Sequence, residues 1–175
     1  MDFVASLLGQ PRTVSAHLQT TWPYVDILDG DKVIEQGVRK TTDDYASLHG
    51  ATDQGVKYTY VLRGGEAFEQ GDGLVWDIIG EKGQIRVTGA NIMFNIGADN
   101  YTIRVKDYEA GEIETVPMHE NLLLPLLAQN VGMVYERFAD GGFVLTFEDA
   151  VRRHEFLDAM FESNEAGGAV QTLRS

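Results

Sequence analysis

The stretch from Leu74 to Thr88 constrains the fold most strongly, because it has the pattern of a β-hairpin. Six mostly apolar, β-prone residues with the sequence LVWDII come first, and the tetrapeptide GEKG follows them. Ile85 and Val87 then alternate with polar residues. The two glycines of the tetrapeptide allow a tight reversal of the chain. This pattern predicts a hairpin at the middle of a sheet.

The remaining periodicity predicts more strands and three helices. Alternation predicts strands at about 13–21, 45–52, 56–62, 101–108 and 112–118, a small hairpin between 24 and 41, and a further segment at 91–96. Helical spacing predicts helices at 2–8, within 121–140 and at 146–163. The last helix opens on Thr146 and Asp149, a near-match to the capping box, and its apolar stripe is Phe147, Ala150, Leu157 and Phe161.

Strands followed by helices, without strict alternation of the two, predict an α+β fold. We expect an open, mainly antiparallel β-sheet with helices packed on one face, and the other face available for dimerisation or a ligand. At 175 residues the chain is predicted to form a single domain over residues 1–175.

Composition excludes several classes of function. Twenty-seven acidic residues against 14 basic ones give a net charge of -13, which argues against nucleic-acid and membrane partners. The absence of cysteine excludes disulfides, thiolate catalysis and cysteine-ligated zinc. No apolar run reaches membrane-spanning length and the start does not resemble a secretory signal, so a cytoplasmic location is expected.

Most catalytic motifs are missing from the sequence. The four histidines, His17, His49, His119 and His154, lack the spacing of metal ligands, and we expect no metal. His154 lies near the stripe of the last helix and is interpreted as a partly buried packing residue. The glycine-rich loop at 63–73 is not followed by a helix, and no serine lies in a nucleophile elbow.

The candidate site is built around His17 and His49, each on a predicted strand with polar neighbours. If the two strands are close, these candidate catalytic residues share one surface with Gln19 and Tyr45. That surface would be completed by Trp22, Trp76 and the next strand, which contributes either Tyr58 and Tyr60 or Thr59 and Arg63. The same surface is equally consistent with a dimer interface, where Tyr, Trp and His are enriched.

Asp77 is the third candidate catalytic residue, because it is an acidic residue within an apolar strand. Desolvation there could raise its pKa into a useful range, although exposure or a salt bridge is the simpler interpretation.

Three segments together resemble the C-terminal domain of the Gfo/Idh/MocA oxidoreductases, in the fungal branch that contains the galactose-pathway repressor. These segments are Asp2–Pro11, the Trp76–Val87 hairpin, and Phe147–Ala159. The resemblance implies an open sheet whose free side commonly forms a homodimer. The family's nucleotide-binding domain has no counterpart here, since no Gly-x-Gly-x-x-Gly follows a strand, and its catalytic histidine would fall upstream of Met1. We therefore expect no bound cofactor.

These observations favour a stand-alone domain that binds a small, largely apolar molecule. It would act as a cofactor-independent, pericyclase-like cyclase or isomerase of a biosynthetic pathway, mainly by orienting its substrate. Two alternatives stay open, a non-catalytic regulatory or dimerisation module and one half of an NAD(P)-dependent oxidoreductase.

Overall fold

The computed structural model describes residues 2–65, 73–92, 101–117, 124–125 and 128–173. In chain order the elements are α1 (Asp2–Leu8), β1 (Pro11–Gln19), β2 (Tyr24–Asp29), β3 (Lys32–Arg39), β4 (Tyr45–Thr52), β5 (Lys57–Arg63), β6 (Leu74–Ile79), β7 (Gly83–Gly89), β8 (Tyr101–Asp107), β9 (Ile113–Val116), α2 (Gln129–Ala139), α3 (Phe147–Glu165) and β10 (Gln171–Thr172). This content confirms the predicted α+β class with a mainly antiparallel sheet structure.

The chain divides into two compact units. The first contains residues 1–64 and 145–175, and the second contains residues 65–144. Each unit has its own four-stranded antiparallel sheet in the described part of the chain. The assignment of all 175 residues to a single domain stays a prediction.

In the first unit, the sheet has the strand order β10-β1-β4-β5 and carries α3 on one face. The core between them consists of buried Val14, Ala16 and Leu48 from the strands and of Phe156, Ala159 and Leu173 from the C-terminal segment. Successive residues of a strand point to opposite faces, so the even-numbered positions of β1 and β4 face the helix. Burying these apolar side chains is the main stabilising contribution to this unit.

The C-terminal end of α3 covers the edge of β1. Strand β10 pairs with β1 only at Thr13 and Val14. Beyond that point the Ala16 N–H donates to Ser163 Oγ over 2.9 Å and the Leu18 N–H donates to Asn164 Oδ1 over 2.8 Å. Side chains thus replace a strand as hydrogen-bond partners for the backbone of β1.

The predicted small hairpin is confirmed as the pair β2–β3, which pairs with no other described strand. Asp44 anchors its base, because its carboxylate accepts the Thr21 N–H over 2.7 Å and the Trp22 N–H over 3.1 Å and forms a salt bridge with Lys40. An isolated two-stranded hairpin is only marginally stable. The Asp44 cluster therefore fixes the hairpin to the first unit.

In the second unit, the sheet has the order β6-β7-β8-β9. The hairpin predicted at 74–88 is confirmed as β6–β7, with Asp77 opposite Arg86 and Trp76 opposite Val87. Its predicted place at the middle of a sheet holds for β7 but not for β6. In the described part of the chain β6 pairs with β7 alone and is an edge strand.

The last helix differs from its prediction in the face that it buries. Phe156, Ala159 and Ser163 are buried, whereas Phe147 is 90% and Phe161 53% exposed. His154 is exposed as well, so its interpretation as a packing residue is wrong. Small side chains at 159 and 163 let the helix approach the sheet closely, which the larger residues of the predicted stripe do not allow.

Several predicted features lie partly or wholly outside the described residues. The segment predicted at 91–96 is described only to residue 92, and the strand predicted at 112–118 only to residue 117. The glycine-rich loop at 63–73 is described only at 63–65 and at 73, and His119 is not described. The helix predicted within 121–140 is present as Gln129–Ala139.

Candidate functional site

The face of the first unit's sheet that points away from α3 brings polar side chains into three cross-strand rows. The rows are Ser15–His49–Thr59, His17–Ser47–Val61, and Gln19–Tyr45–Arg63, each contributed by β1, β4 and β5 in turn. We call these nine residues the outer face. The expectation that His17 and His49 share one surface with Gln19 and Tyr45 is met by this register.

The outer face is bordered on the β1 side by the turn that follows α3. Ser15 Oγ donates to the Gly168 carbonyl over 2.6 Å, which buries Ser15. The His17 ring lies against Gly168 so closely that a Cβ there would stand 2.5 Å from His17 Cε1. With φ at +88°, Gly168 also has a backbone conformation that favours glycine. The turn therefore forms a wall beside His17.

Trp22 lies at the end of β5. Its ring approaches Gly64, the residue after Arg63, and a Cβ on Gly64 would be 3.3 Å from Trp22 Cζ3. Trp22 is 47% exposed. Because successive residues along an extended chain point to opposite faces, its contact at the Gly64 Cβ position lies on the side away from Arg63, so the structure does not place Trp22 on the outer face.

The chemistry of the outer face is polar and contains no carboxylate. Its charged member is Arg63, and imidazole, phenol, amide and hydroxyl groups surround it. His17, Gln19, His49 and Arg63 are all exposed. This set of groups can donate hydrogen bonds to hydroxyl or carboxylate oxygens, and an imidazole is a side chain that can act as a general acid or base.

Tyr58 and Tyr60 lie on the opposite side of the sheet, which corrects their predicted place beside the histidines. They are opposite Gly50 and Leu48 in the register and pack against the core under α3. Tyr58 donates its hydroxyl to the Thr13 carbonyl over 2.7 Å, and burial raises the pKa of Tyr58 to about 12. Of the two alternatives for this strand, the structure therefore selects Thr59 and Arg63.

Trp76 and Asp77 belong to the sheet of the second unit and face opposite sides of it. Trp76 shares the apolar side with Val87, and Asp77 shares the polar side with Arg86. Arg86 donates to both carboxylate oxygens of Asp77, over 2.7 and 2.8 Å, and Gln84 donates to one of them. These bonds hold the pKa of Asp77 below its usual range. The expectation of a raised pKa is thus wrong, and the salt-bridge interpretation holds.

The described residues show neither a metal centre nor a membrane helix. No group of three or more His, Asp or Glu side chains in those residues is arranged to hold a metal ion. No helix in the same parts of the chain is both long and apolar enough to cross a membrane.

Sequence reasoning missed several residues that shape the outer face. Gly168 and Ser163 lie about 150 positions from β1 in the chain, and no local pattern signals that contact. Val61 could have been identified from strand alternation once the pairing of β4 with β5 was known.

The fold is that of the C-terminal, sheet-bearing domain of the Gfo/Idh/MocA type of oxidoreductase, which confirms the resemblance. The chain belongs to the family of the Gal80p C-terminal domain, whose model matches residues 1–89.

Similar proteins include both regulators and enzymes. A dehydrogenase of Aspergillus oryzae, aclE, is 25% identical over 169 residues, which is 95% of this chain and 44% of that protein. The transcriptional regulator Gal80p from Kluyveromyces lactis is similar in structure, with a TM-score of 0.77, 20% identity, and coverage of 98% of this chain and 44% of that one. Levoglucosan dehydrogenase in complex with NADH and levoglucosan has a TM-score of 0.70 at 17% identity, with coverage of 99% of this chain and 48% of that one.

The chain therefore spans less than half the length of these relatives. The structural likeness, at 20% identity or less, shows the fold alone.

Proposed function

We propose that this chain is a ligand-binding domain of the oxidoreductase type, and that its outer face binds a small hydroxylated or carboxylate-bearing molecule. The observation that supports this most directly is the register that lines up His17, His49, Gln19, Tyr45 and Arg63 on one exposed face. These side chains offer hydrogen-bond donors and one fixed positive charge, in a chain whose net charge is -13.

The ligand class differs from the largely apolar molecule expected from the sequence. That expectation depended on Tyr58, Tyr60 and Trp76, which lie on the core side of the first sheet or in the second unit. With the remaining residues, a polyhydroxylated ligand is the better match. Levoglucosan, named as the ligand of one structural neighbour, belongs to this class and is a suitable first probe.

Any chemistry on the outer face is proposed to be acid–base chemistry, in keeping with a cofactor-independent isomerase or cyclase. His17 or His49 would remove a proton from a carbon next to a carbonyl and return it at a neighbouring position, so that no electrons are gained or lost overall. Arg63 and Gln19 would hold the substrate oxygens during this transfer.

Binding is tested by calorimetric titration of the full chain with levoglucosan and with gluconate. We expect saturable binding of at least one probe, and a loss of about fivefold or more in affinity in Arg63→Gln and in His49→Gln. The matched controls are Arg39→Gln on β3 and His154→Gln on α3, both at exposed positions. Absence of binding, or equal losses in the controls, would overturn the proposal.

Catalysis is tested by solvent deuterium exchange into dihydroxyacetone without added cofactor. We expect the native chain to catalyse this exchange. The exchange rate should fall at least about tenfold in a variant that carries both His17→Gln and His49→Gln, and this result would support the isomerase chemistry. Equal exchange rates in the native chain and in the double variant would contradict catalysis by these histidines and leave the outer face with a binding role alone.

A homodimer formed through the outer face is the second candidate, supported by its Tyr and Arg content. Val61 lies in the middle row and is 57% exposed. If two copies associate there, Val61→Asp should convert a dimer into a monomer in light scattering, while Val75→Asp on the second unit's sheet should not. A monomer at all concentrations contradicts this candidate.

The third candidate, one half of an NAD(P)-dependent oxidoreductase, is supported by the 44% coverage of the dehydrogenase relative. Titration of the chain with NADPH tests whether these 175 residues bind the cofactor by themselves. Saturable binding by this chain alone would contradict the expected absence of a cofactor site.

A further inference from the structure

The polar side of the second unit's sheet concentrates positive charge in an acidic chain. The cross-strand register places Asp77, Arg86, Arg104 and Thr115 in one row across β6, β7, β8 and β9. Lys106 lies two residues beyond Arg104 and therefore on the same side of β8. Three of the chain's 14 basic residues thus share a small area, although acidic residues outnumber basic ones by almost two to one.

Directly opposed like charges on neighbouring strands destabilise a sheet. Arg86 and Arg104 form such a pair, with an expected Cβ separation of about 5 Å. Asp77 compensates Arg86, because both of its oxygens accept from that guanidinium. Arg104 lies opposite Arg86 on β7 and opposite Thr115 on β9. Lys106 lies opposite Gln84 on β7 and opposite Ile113 on β9. Among the described residues, neither cation therefore has an acidic residue directly opposite it on a neighbouring strand.

The salt bridge with Asp77 also orients Arg86. A guanidinium has five N–H donors, and two of those on Arg86 form the bonds to Asp77. Gln84 donates to the same carboxylate, which is thereby held against Arg86. Asp77 thus orients Arg86 and neutralises its charge. Arg104 and Lys106 carry positive charge that an external anion can neutralise.

We propose that Arg86, Arg104 and Lys106 form a binding site for a small organic anion that carries a phosphate group or several carboxylates. Arg104 and Lys106, about 7 Å apart along the strand, can contact different oxygens of such an anion. The Thr115 hydroxyl, next to Arg104 in the row, adds a neutral donor. All three cations are exposed, so the site is open to solvent and its affinity depends on salt.

The site is tested by titrating the full chain with inorganic phosphate and with citrate, followed by backbone amide NMR at low ionic strength. We expect saturable shifts concentrated in β7, β8 and β9 with one or both probes. Stronger binding of phosphate identifies a phosphate ester as the ligand class, and stronger binding of citrate identifies a polycarboxylate. Absence of saturable shifts with both probes, or shifts concentrated elsewhere, would overturn the proposal.

Charge-neutral variants separate this site from general attraction of anions. Arg104→Gln and Lys106→Gln should each weaken binding at least about fivefold. Arg39→Gln on β3 and Lys57→Gln on β5 change the net charge equally at exposed strand positions of the first unit, and should change binding less than about twofold. Equal losses in the controls would show only long-range electrostatic attraction and would contradict a defined site.

Folding is not expected to limit this test. Arg104 is exposed, and its removal relieves the opposition to Arg86, so the melting temperature of Arg104→Gln should stay unchanged or rise.

Discussion

The backbone N–H of Ala16 donates a 2.9 Å hydrogen bond to Ser163 Oγ, and both residues are completely buried. Ser163 Oγ in turn donates to the Ala169 carbonyl over 2.7 Å. One hydroxyl group thus joins the edge of β1, the end of α3 and the turn that borders the outer face. The arrangement of the candidate site depends on this contact.

Replacing Ser163 with alanine should destabilise the chain strongly for a one-atom change. The buried Ala16 N–H and Ala169 carbonyl both lose their partner, which costs about 2 kcal/mol. We expect the free energy of unfolding in urea to fall by that amount. Glu162→Ala, at the preceding exposed helix position, is the control and should change stability by less than about 0.5 kcal/mol.

Gly168 is predicted to control the position of the His17 ring. Alanine at 168 meets both a φ of +88° and the His17 imidazole, whereas alanine at Gly167 meets a φ of +68° and nothing within 4 Å. Both variants should lose about 1 kcal/mol from backbone strain. In NMR spectra the ring resonances of His17 should shift in Gly168→Ala alone. Equal His17 shifts in the two variants would contradict the contact.

Asp44 should account for part of the chain's sensitivity to acid. Burial disfavours its charged form, but hydrogen bonds from Lys40 and from the Thr21 and Trp22 N–H groups outweigh this and hold the pKa of Asp44 well below its usual range. Because the folded pKa is depressed, this stabilisation is present above the unfolded value of about 3.9 and is lost as the pH falls through the folded value.

Unfolding experiments between about pH 5 and pH 2 test this assignment. Asp44→Asn should be less stable than the native chain at neutral pH, and the difference should shrink as the pH falls. Asp158→Asn, at an exposed position on α3, is the control, and its free energy of unfolding should differ from that of the native chain by a constant amount over this range. A constant difference for Asp44→Asn would contradict the assigned role.

Tyr58 should make the chain sensitive to alkali. Burial raises the pKa of Tyr58 to about 12, so its stabilising effect is complete below the unfolded value of about 10 and is lost as the pH rises towards 12. Tyr58→Phe also loses the hydrogen bond to the Thr13 carbonyl, which costs about 1 kcal/mol at neutral pH.

The stability difference between the native chain and Tyr58→Phe should therefore narrow above about pH 10. In an alkaline titration followed by ultraviolet difference spectra, the increase in phenolate absorbance that occurs at the highest pH should be missing in this variant. Tyr24→Phe, at a side chain that is 64% exposed, is the control and should keep that step. A late step that persists in Tyr58→Phe would show that another tyrosine produces it.

Local pattern was sufficient to predict most elements of this fold. Strand β4 has the predicted limits, Tyr45–Thr52, and the capping box was predicted from Thr146 and Asp149 alone. The structure confirms the box in both directions, with the Thr146 hydroxyl accepting from the Asp149 N–H and the Asp149 carboxylate accepting from the Thr146 N–H. Such features depend on neighbours within a few residues, so the sequence carries them directly.

The features that local sequence patterns could not predict depend on pairing between distant segments of the chain. Tyr58 and Thr59 are adjacent in the chain, and only the register of β5 with β4 determines which of them shares a face with His49. The buried face of α3 was missed for a related reason, because its sequence has apolar residues on two sides and the sheet selects the side with small residues. The two-residue strand β10 is too short to produce a periodic pattern.

If the outer face of β1, β4 and β5 binds a hydroxylated small molecule, the ring resonances of His17 and His49 should respond to that ligand. In a levoglucosan or gluconate titration followed by ¹H–¹³C NMR, we expect saturable shifts of the His17 and His49 ring signals, with the signal of the exposed His154 on α3 unchanged. Shifts of all three signals alike, or of His154 alone, would contradict it.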